Sequence, residues 1–366
     1  MTTDTQPTDA QLLRGIDASS DDARDLVLRR VKEIMQHTLE QSSWHVLQNI
    51  AATHLDNHGR CVRAQIALRA AQLLDVSVTN SVHFAAACEL VHNASLVHDD
   101  IQDGDRVRRG QPTLWVQYGV PQAITAGDLM LMLPTLALDN APYSDEFKWK
   151  LSRCIARRSA ATACGQALEQ TLSEASFATR TEYEQAAMGK TGQFFAMPVE
   201  GAVILAGNPD LAEAIGDVAK DLGILFQLKD DLIDFYGNKK KRLPGSDLRE
   251  GKINALFVCH FELAPKDITV LQQVLQNRDA VLSEQTVDEW GTRLIESGAF
   301  DRVIQWGSQL ITRMETNPNL ATMPKLRDYL IQTSQVMLSD AAALRPDMTD
   351  HTNELLLSEY INESAT

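Results

Sequence analysis

The sequence predicts an all-α fold, organised as a single large helical bundle. Apolar residues recur three or four positions apart in one segment after another from residue 21 onward. No segment alternates apolar and polar residues over four or more positions between turn residues, as a half-buried strand would. The sequence also lacks the short-period repeat that is typical of solenoids. These three observations favour packed helices over a sheet-based or repeat fold.

The order of the helices follows from the breaks in this pattern. Residues 21–41 carry an apolar stripe behind an acidic first turn, and residues 60–74 are apolar on nearly all sides, which indicates a buried helix. Ser77 or Thr79 is the expected cap of a helix that runs through Asp103. The other predicted helices are 44–55, 121–138 with a kink at Pro134, 144–171, 181–189, 210–236, 255–263, 267–277, 286–297, 300–316 and 323–343, and the predicted loops are 104–112 and 237–252.

The same pattern predicts the domain organisation. Residues 1–15 are expected to form a disordered tail, and residues 16–345 a single domain, because no Pro/Gly/Ser-rich linker divides them. Residues 346–366 form an acidic C-terminal segment, either a helix or a frayed tail.

Composition excludes several classes of function. The 366 residues are 44% hydrophobic, which is enough for a sizeable core, and the net charge of −15 argues against nucleic-acid binding and against an anionic membrane surface. No apolar run approaches the roughly 18 residues of a membrane span. The five cysteines are scattered without a Cys-x-x-Cys pair, and the N-terminus lacks the basic and apolar regions of a signal peptide. We therefore expect a soluble, cytoplasmic protein without a disulfide framework or a zinc site.

The first chemically informative motif is a group of three acids at the end of an apolar segment. Helical spacing places Asp99 and Asp103 on one face, with His92 two turns before Asp99 and Asp100 about 100° round the helix. Three such carboxylates repel one another and are costly to bury unless a cation lies among them. Mg²⁺ prefers oxygen ligands and often keeps phosphate as a further ligand. The alternative is a solvated acidic helix end.

The same arrangement recurs about 130 residues later. Asp230, Asp231 and Asp234 repeat the spacing, again near the C-terminal end of an apolar helix. A helix C-terminus disfavours acids because the helix dipole is negative there, so the repeated placement indicates that cations compensate the charge. Two acidic motifs suit a diphosphate held by several Mg²⁺ ions.

Basic residues next to predicted helix breaks fit phosphate binding. Arginine offers a planar fork to phosphate and lysine a point charge. For Lys239, Lys240 and Lys241, ordinary surface salt bridges remain the better interpretation. The basic residues concerned are Arg60, Arg63, Arg108, Arg109, Lys190, Lys239, Lys240, Lys241, Arg242 and Lys252.

Taken together, these motifs resemble those of the trans-isoprenyl diphosphate synthases of the polyprenyl synthetase family, over roughly residues 20–340. The resemblance includes both Asp-Asp-x-x-Asp boxes, Arg-Arg-Gly-x-Pro-Thr after the first, Lys-Thr-Gly at 190–192, Phe-Gln before the second box and Gly-Ser-Asp-Leu-Arg-Glu-Gly-Lys after it. It implies the isoprenoid synthase-like fold, a helical bundle around a central cavity, in a homodimer. It also implies Mg²⁺-dependent head-to-tail condensation of isopentenyl diphosphate with an allylic diphosphate (dimethylallyl, geranyl or farnesyl).

The resemblance further implies a role for each matching residue. Arg60 stands where the family usually has lysine, and it remains open whether Lys241 or Arg242 contacts phosphate. His98, next to Asp99, is interpreted as a structural residue or as a support for the neighbouring metal ligands, and not as a base. Three Mg²⁺ ions per active site would be bound by the six acids Asp99, Asp100, Asp103, Asp230, Asp231 and Asp234, and the reacting carbons would lie beside Thr191 and Gln227. The allylic diphosphate would be bound by Arg108, Lys190, Lys252 and Arg242. Isopentenyl diphosphate would be bound by Arg60, Arg63, His92 and Arg109.

Product length is expected to depend on Ala94 and Ser95, five and four residues before Asp99. In this family a bulky aromatic residue there stops the growing chain early, so two small residues imply a longer product. We predict geranylgeranyl diphosphate (C20), with Phe84, Met130 and Leu133 as deeper limits. A product of C25 or longer, or a non-catalytic subunit of a heteromeric synthase, are the alternatives. Without the resemblance, simple helix packing would explain Ala94 and Ser95 equally well. A class I terpene cyclase or a head-to-head synthase is a further alternative, but neither needs the Arg-Arg-Gly-x-Pro-Thr motif or an intact second acidic box.

Overall fold

Helices form nearly all of the regular structure in the computed structural model, so the predicted all-α class is confirmed. The structure describes residues 21–41, 45–56, 59–237, 244–277 and 282–346. The predicted tail over 1–15 and, beyond Pro346, the predicted segment over 346–366 lie outside these ranges. None of the described helices combines the length and the apolar character that a membrane span requires. The described residues form two compact units, and the single domain over 16–345 stays a prediction.

The first unit contains the described residues up to Ser159 together with Met197–Gly216. Three helices contain residues of both units, namely Asp145–Ala175, Gln193–Leu205 and Pro209–Tyr236. Up to α7, the elements are α1 (Asp21–Glu40), α2 (His45–Asp56), α3 (Val62–Leu73), a 3₁₀ turn (Val78–Asn80), α4 (Val82–Gln102), β1 (Val107–Arg108), β2 (Gln111–Pro112), α5 (Leu114–Tyr118), α6 (Val120–Asp139) and α7 (Asp145–Ala175).

The second unit contains Ala160–Ala196 and the described residues from Asp217 onward. After α7, the chain continues through α8 (Arg180–Ala187), a π-helical segment (Met188–Gly192), α9 (Gln193–Leu205), α10 (Pro209–Tyr236), α11 (Ser246–Glu250), α12 (Ala255–Leu263), a 3₁₀ turn (Pro265–Asp267), α13 (Ile268–Gln276), α14 (Glu284–Glu296), α15 (Ala299–Glu315), a 3₁₀ turn (Leu320–Thr322) and α16 (Pro324–Ala342).

Helix α4 lies at the centre of the first unit. All of its residues from Val82 to Val91 are buried, and it packs against α1, α3 and α6. Alanines at 85–87 favour the helix and let neighbouring helices approach closely. The helix ends before Gly104, whose φ of 70° is the left-handed conformation that terminates many helices. The first acidic motif is therefore carried by the last turn of a buried, well-packed helix.

The predicted loop over 104–112 contains a short β-hairpin. Val107 pairs with Pro112 and Arg108 with Gln111, in antiparallel register. The two turn residues, Arg109 and Gly110, have φ values of 52° and 82°, as a tight two-residue hairpin turn requires. Strands of two residues are too short to produce an alternation that can be recognised in the sequence.

Three further features differ from the predicted ones. Ser77 caps the 3₁₀ turn Val78–Asn80 and not α4, which begins at Val82. Helix α11 lies within the predicted loop over 237–252, between Gly245 and Gly251, both in the left-handed conformation. The helix expected to end at Gly189 instead continues through the π-helical segment into α9. A glycine inside a helical pattern does not by itself end the helix, and here Gly189 has a packing role that is described below.

Candidate functional site

The first acidic motif contains carboxylates in three different environments. Asp99 is half-buried on α4, Asp100 is only 2% exposed, and Asp103 is exposed at the residue that ends the helix. Asp99 and Asp103, which were predicted to share one helix face, therefore lie at the solvent-accessible C-terminal end of α4. Asp100 points into the protein.

Asp100 is held by Arg108 of the hairpin. The Nε and Nη2 atoms of Arg108 both donate to Oδ1 of Asp100, at 2.5 Å, and Nη2 is 3.7 Å from Asp105. Burial raises the pKa of Asp100 to about 6, while the charge and the hydrogen bond of Arg108 act in the opposite direction. This ion pair fixes the hairpin against the end of α4.

Arg109 takes a different direction from Arg108. A Cβ atom on Gly59 would lie 2.3 Å from Nη2 of Arg109, so the guanidinium group lies against the Gly59 backbone. A residue with a side chain at position 59 would displace it. The two consecutive arginines thus contact different parts of the first unit, Arg108 the end of α4 and Arg109 the Gly59 backbone.

Arg109 is the exposed member of a group of cationic and imidazole side chains, in which Arg63 and His92 are half-buried and His54 is buried. Burial lowers the pKa of His92 well below its usual value, and the charges of Arg63, Arg109 and Arg108 lower it further. Burial also lowers the pKa of Arg63 to about 10 and, with Arg108 and Arg109, that of His54 to about 4. Such mutual repulsion favours the binding of an anion. Three of the predicted isopentenyl diphosphate residues, Arg63, His92 and Arg109, are therefore brought together.

Arg60, the fourth predicted member, is exposed, and its carbonyl oxygen accepts a hydrogen bond from Gln65 Nε2 at 2.5 Å. His54 was not predicted from the sequence. It lines a cavity of about 310 Å³ with Asp100 and Arg108. A histidine on a helix carries no sequence signal that separates such a position from ordinary packing.

The residues before Asp99 face the interior of the first unit. Ala94 is fully buried, and the Ser95 hydroxyl donates to the His92 carbonyl oxygen at 2.8 Å. His98 Nε2 is 3.3 Å from Asp128, and a Cβ atom on Gly127 would lie 2.4 Å from the same nitrogen. His98 therefore packs against α6, as expected for a structural residue.

In the second acidic motif, the Asp231 carboxylate accepts hydrogen bonds from groups of the protein itself. It accepts hydrogen bonds from Tyr183 Oη at 2.6 Å, Gln227 Nε2 at 2.9 Å and the Ala255 N–H at 2.7 Å. Burial raises its pKa to about 7, although these three donors oppose the shift. Asp231 is 3% exposed, whereas its neighbour Asp230 is exposed.

Asp234 is also buried, at 2% exposure. Its carboxylate accepts hydrogen bonds from the Ser246 hydroxyl and, at 3.0 Å, from the Asp247 N–H. These donors lie in the first turn of α11, so Asp234 caps that short helix from α10. The second acidic motif thus organises the chain around it as well as presenting one exposed acid.

The Lys-Thr-Gly motif lies in the π-helical segment. Lys190 Nζ donates to Glu169, and Thr191 Oγ1 donates to Gln227 Oε1 at 3.1 Å. Because Gln227 also donates to Asp231, the side chains of Thr191, Gln227 and Asp231 form one chain of hydrogen bonds. π-Helical segments often mark functional positions, since they turn side chains out of the regular helical register.

A close contact between two helices holds this segment. A Cβ atom on Gly165 of α7 would lie 2.2 Å from the Gly189 carbonyl carbon, so the two backbones touch. The sequence did not predict this packing role for either glycine. The remaining predicted cation, Lys252, is 2.9 Å from Glu250, and Arg242 lies outside the described residues.

The donor chemistry of both motifs fits Mg²⁺, since it consists of carboxylate oxygens. Within the described parts of the chain, no three His, Cys, Asp or Glu side chains are already grouped to hold a metal ion. Mg²⁺ does not require such a cage, because it commonly binds one or two carboxylates together with water and substrate phosphate.

Comparisons with known proteins agree with this chemistry. The family model described as polyprenyl synthetase matches residues 45–289. A short chain isoprenyl diphosphate synthase of Methanothermobacter thermautotrophicus is 30% identical over 322 residues, which is 86% of this chain and 96% of that protein. A geranylgeranyl diphosphate synthase of Saccharolobus solfataricus is 30% identical over 249 residues, 66% of this chain and 73% of that protein. The structure of the geranylgeranyl pyrophosphate synthetase of Geoglobus acetivorans matches with a TM-score of 0.72 and 26% identity, over 86% of this chain and 98% of that one.

Proposed function

The chain belongs to the polyprenyl synthetase family, and we propose on that basis that it joins isopentenyl diphosphate head-to-tail to an allylic diphosphate. The protein is thus a prenyltransferase. Loss of diphosphate from the allylic substrate leaves a carbocation, which the double bond of isopentenyl diphosphate attacks before a proton is lost. The product is an all-trans prenyl diphosphate.

One observation carries this proposal. A complete Asp-Asp-x-x-Asp motif lies at the C-terminal end of each of two long helices, α4 and α10. Each motif has an exposed carboxylate, Asp103 or Asp230, in addition to buried acids that the protein's own donors engage. The stability of the helices does not account for the exposed acids, since carboxylates at helix C-termini oppose the dipole.

We assign Mg²⁺ binding to Asp99, Asp103 and Asp230, with three ions per active site. Mg²⁺ bound there would neutralise charge on the diphosphate oxygens and stabilise the departing group. Asp100 accepts hydrogen bonds from Arg108, and Asp231 accepts them from Tyr183, Gln227 and the Ala255 N–H. We assign these two acids the role of holding the adjacent metal-binding acids, Asp99 and Asp230, in position.

Asp234 has the same kind of role, because it caps α11. These assignments narrow the sequence-based expectation, in which all six acids bind metal.

The allylic diphosphate is assigned to Arg108, Lys190 and Lys252, and also to Arg242. Lys190 pairs with Glu169 and Lys252 with Glu250. A diphosphate carries more negative charge than one carboxylate and would compete for both lysines. Holding each cation near an acid keeps its side chain ordered before substrate binds, which lowers the entropic cost of binding.

Isopentenyl diphosphate is assigned to Arg63, His92 and Arg109, with Arg60 as an exposed cation at the same loop. Burial lowers the pKa values of Arg63 and His92, and repulsion from neighbouring arginines lowers them further. A bound anion would relieve that repulsion. Thr191 and Gln227, joined at 3.1 Å, would place oxygen dipoles beside the reacting carbons and stabilise positive charge there.

The proposed product is geranylgeranyl diphosphate. In this family, chain growth is limited by the side chains four and five residues before the first acidic motif. Here these are the small residues Ser95 and Ala94, which supports a product longer than C15. A product of C25 or longer is the second candidate. The completeness of both acidic motifs favours an active enzyme over a non-catalytic subunit.

We also propose a homodimer in the cytoplasm. Helix α6 carries exposed apolar side chains four or eight residues apart, which places them on one face of the helix. Exposure of such a face costs free energy in water, and a dimer would cover it. These side chains are Val120, Ile124, Met132 and Leu136, which are 40 to 63% exposed. The scattered, odd number of cysteines supports a reducing compartment.

The test is incubation of the purified chain with isopentenyl diphosphate, Mg²⁺ and, in separate reactions, dimethylallyl, geranyl or farnesyl diphosphate, followed by sizing of the product. We expect C20 prenyl diphosphate from each primer and none after chelation of Mg²⁺. A longer product would replace the C20 assignment and keep the reaction. No condensation with any primer would contradict the proposed function.

A further inference from the structure

Glu89 is a buried acid among the cations that we assign to isopentenyl diphosphate. It lies on α4, ten residues before Asp99, and is 3% exposed. Burial raises its pKa, and the charges of Arg63 and Arg109 oppose the shift. A carboxylate that only added negative charge here would weaken the binding of an anion, so its presence needs another explanation.

The hydrogen bonds of Glu89 supply that explanation. Its Oε2 atom accepts from the Ala64 N–H at 3.1 Å, and the Arg63 N–H also hydrogen-bonds to its carboxylate. Both N–H groups belong to the first turn of α3, which starts at Val62 and whose own cap residue, Cys61, supplies no side-chain hydrogen bond. These donors have no partner within the helix, so an acceptor from α4 satisfies them.

The capped turn is the one that carries Arg63. Cys61, just before it, has a φ of 51°, an uncommon conformation for a residue with a side chain. Arg109 reaches the same loop, where its guanidinium lies against Gly59. One carboxylate thus binds the backbone that presents Arg63 and attracts the side chains of Arg63 and Arg109.

We propose that Glu89 is a positioning residue for isopentenyl diphosphate: it caps the N-terminus of α3 and orients Arg63 and Arg109 toward the diphosphate. This inference rests on the proposed function, because it presumes that these two arginines bind that substrate. It predicts an effect opposite in sign to simple charge repulsion, since removing the negative charge of Glu89 should weaken anion binding.

The test compares Glu89→Gln with Glu89→Asp and with a matched control, Glu200→Gln. Glu200 is also buried in the first unit and accepts hydrogen bonds from two arginines, Arg157 at 2.6 Å and Arg158 at 2.7 Å, but lies on α9 outside the proposed site. For Glu89→Gln we expect about a tenfold rise in KM for isopentenyl diphosphate, with KM for the allylic substrate and kcat changed less than about twofold.

Glu89→Asp keeps the charge but shortens the side chain, so we expect a smaller rise, about threefold. Glu200→Gln should lower thermal stability and leave both KM values unchanged. Calorimetric titration with isopentenyl diphosphate alone gives the affinity without turnover and needs only a folded variant. If Glu89→Gln does not fold, Glu89→Asp carries the comparison.

An unchanged or lower KM for isopentenyl diphosphate in Glu89→Gln would overturn the inference, as would an equal rise in both KM values. In either case wild-type condensation would leave the proposed function intact. Absence of condensation by the wild-type chain would instead contradict the proposed function itself.

Discussion

Gly223 of α10 and Gly192 of the π-helical segment touch through their backbones: a Cβ atom on Gly223 would lie 2.5 Å from the Gly192 Cα atom. Real Cβ atoms do not approach other carbon atoms so closely, so any side chain at 223 would push the segment away. The segment carries Lys190 and Thr191. The position of two proposed substrate-contacting side chains therefore depends on the absence of a side chain on another helix.

We predict that Gly223→Ala lowers kcat roughly 10- to 100-fold, because displacement of Thr191 and Lys190 by a fraction of an ångström misplaces the groups beside the reacting carbons. Overpacking should also cost about 1–3 kcal/mol of unfolding free energy. The control is Gly291→Ala within α14, where a Cβ atom would be 3.7 Å from its nearest neighbour. That variant should be neutral or slightly stabilising. Steady-state kinetics and thermal unfolding would check both, and full activity of Gly223→Ala would contradict the prediction.

Asp230 and Asp231 are neighbours with different predicted roles, which a pair of alanine variants separates. Asp231→Ala leaves the donors on Tyr183, Gln227 and Ala255 without their acceptor, so we expect a loss of about 3 kcal/mol in unfolding free energy. Asp230→Ala should change stability by less than about 0.5 kcal/mol, because Asp230 is exposed.

Asp230→Ala should nevertheless lower Mg²⁺-dependent turnover by about 100-fold and raise the Mg²⁺ concentration needed for half-maximal activity. Urea unfolding and Mg²⁺ titration of activity are the measurements. Equal stability losses in the two variants would argue against the division of roles.

His54 should make stability depend on pH. Burial lowers its pKa in the folded protein to about 4, below the value of about 6.5 expected in the unfolded chain. The unfolded state therefore binds more protons between these values, so the free energy of unfolding falls as the pH falls from about 6.5 towards 4. Between pH 7.5 and 5.5 the contribution of His54 is about 1.3 kcal/mol.

Urea unfolding of the wild type and of His54→Gln at both pH values, without substrate or Mg²⁺, measures this contribution. The variant should lose less stability than the wild type over the same interval. An identical pH dependence in the two proteins would contradict a lowered pKa of His54 in the folded state.

The apolar stripe on α6 should control the proposed dimer. Met132→Glu places a charge at the most exposed of these side chains, at 63% exposure, and should shift sedimentation towards the monomer. Val270→Glu on α13, where the native side chain is 46% exposed, is the control and should leave the sedimentation coefficient unchanged. A dimer that is unaffected by Met132→Glu would place the interface on another surface.

Much of the fold could be predicted because helices are local. Apolar periodicity located most helices, and α12 begins and ends at the predicted residues, Ala255 and Leu263. The errors arose where the determining contact is distant in sequence. The helix was expected to end at Gly189, but that glycine packs against Gly165 and the helix continues. Helix α11 was missed because its cap, Asp234, lies on another helix.

The sequence by itself determined the all-α class, the family and the two acidic motifs at helix ends, since each follows from residue patterns that are local to short segments. Only the tertiary structure separated residues that are identical in the sequence pattern. It directed Arg108 to Asp100 and Arg109 to Gly59, and it buried Asp231 while leaving Asp230 exposed. These differences depend on which distant donors, backbones and charges surround each side chain, and such contacts exist only once the helices have packed.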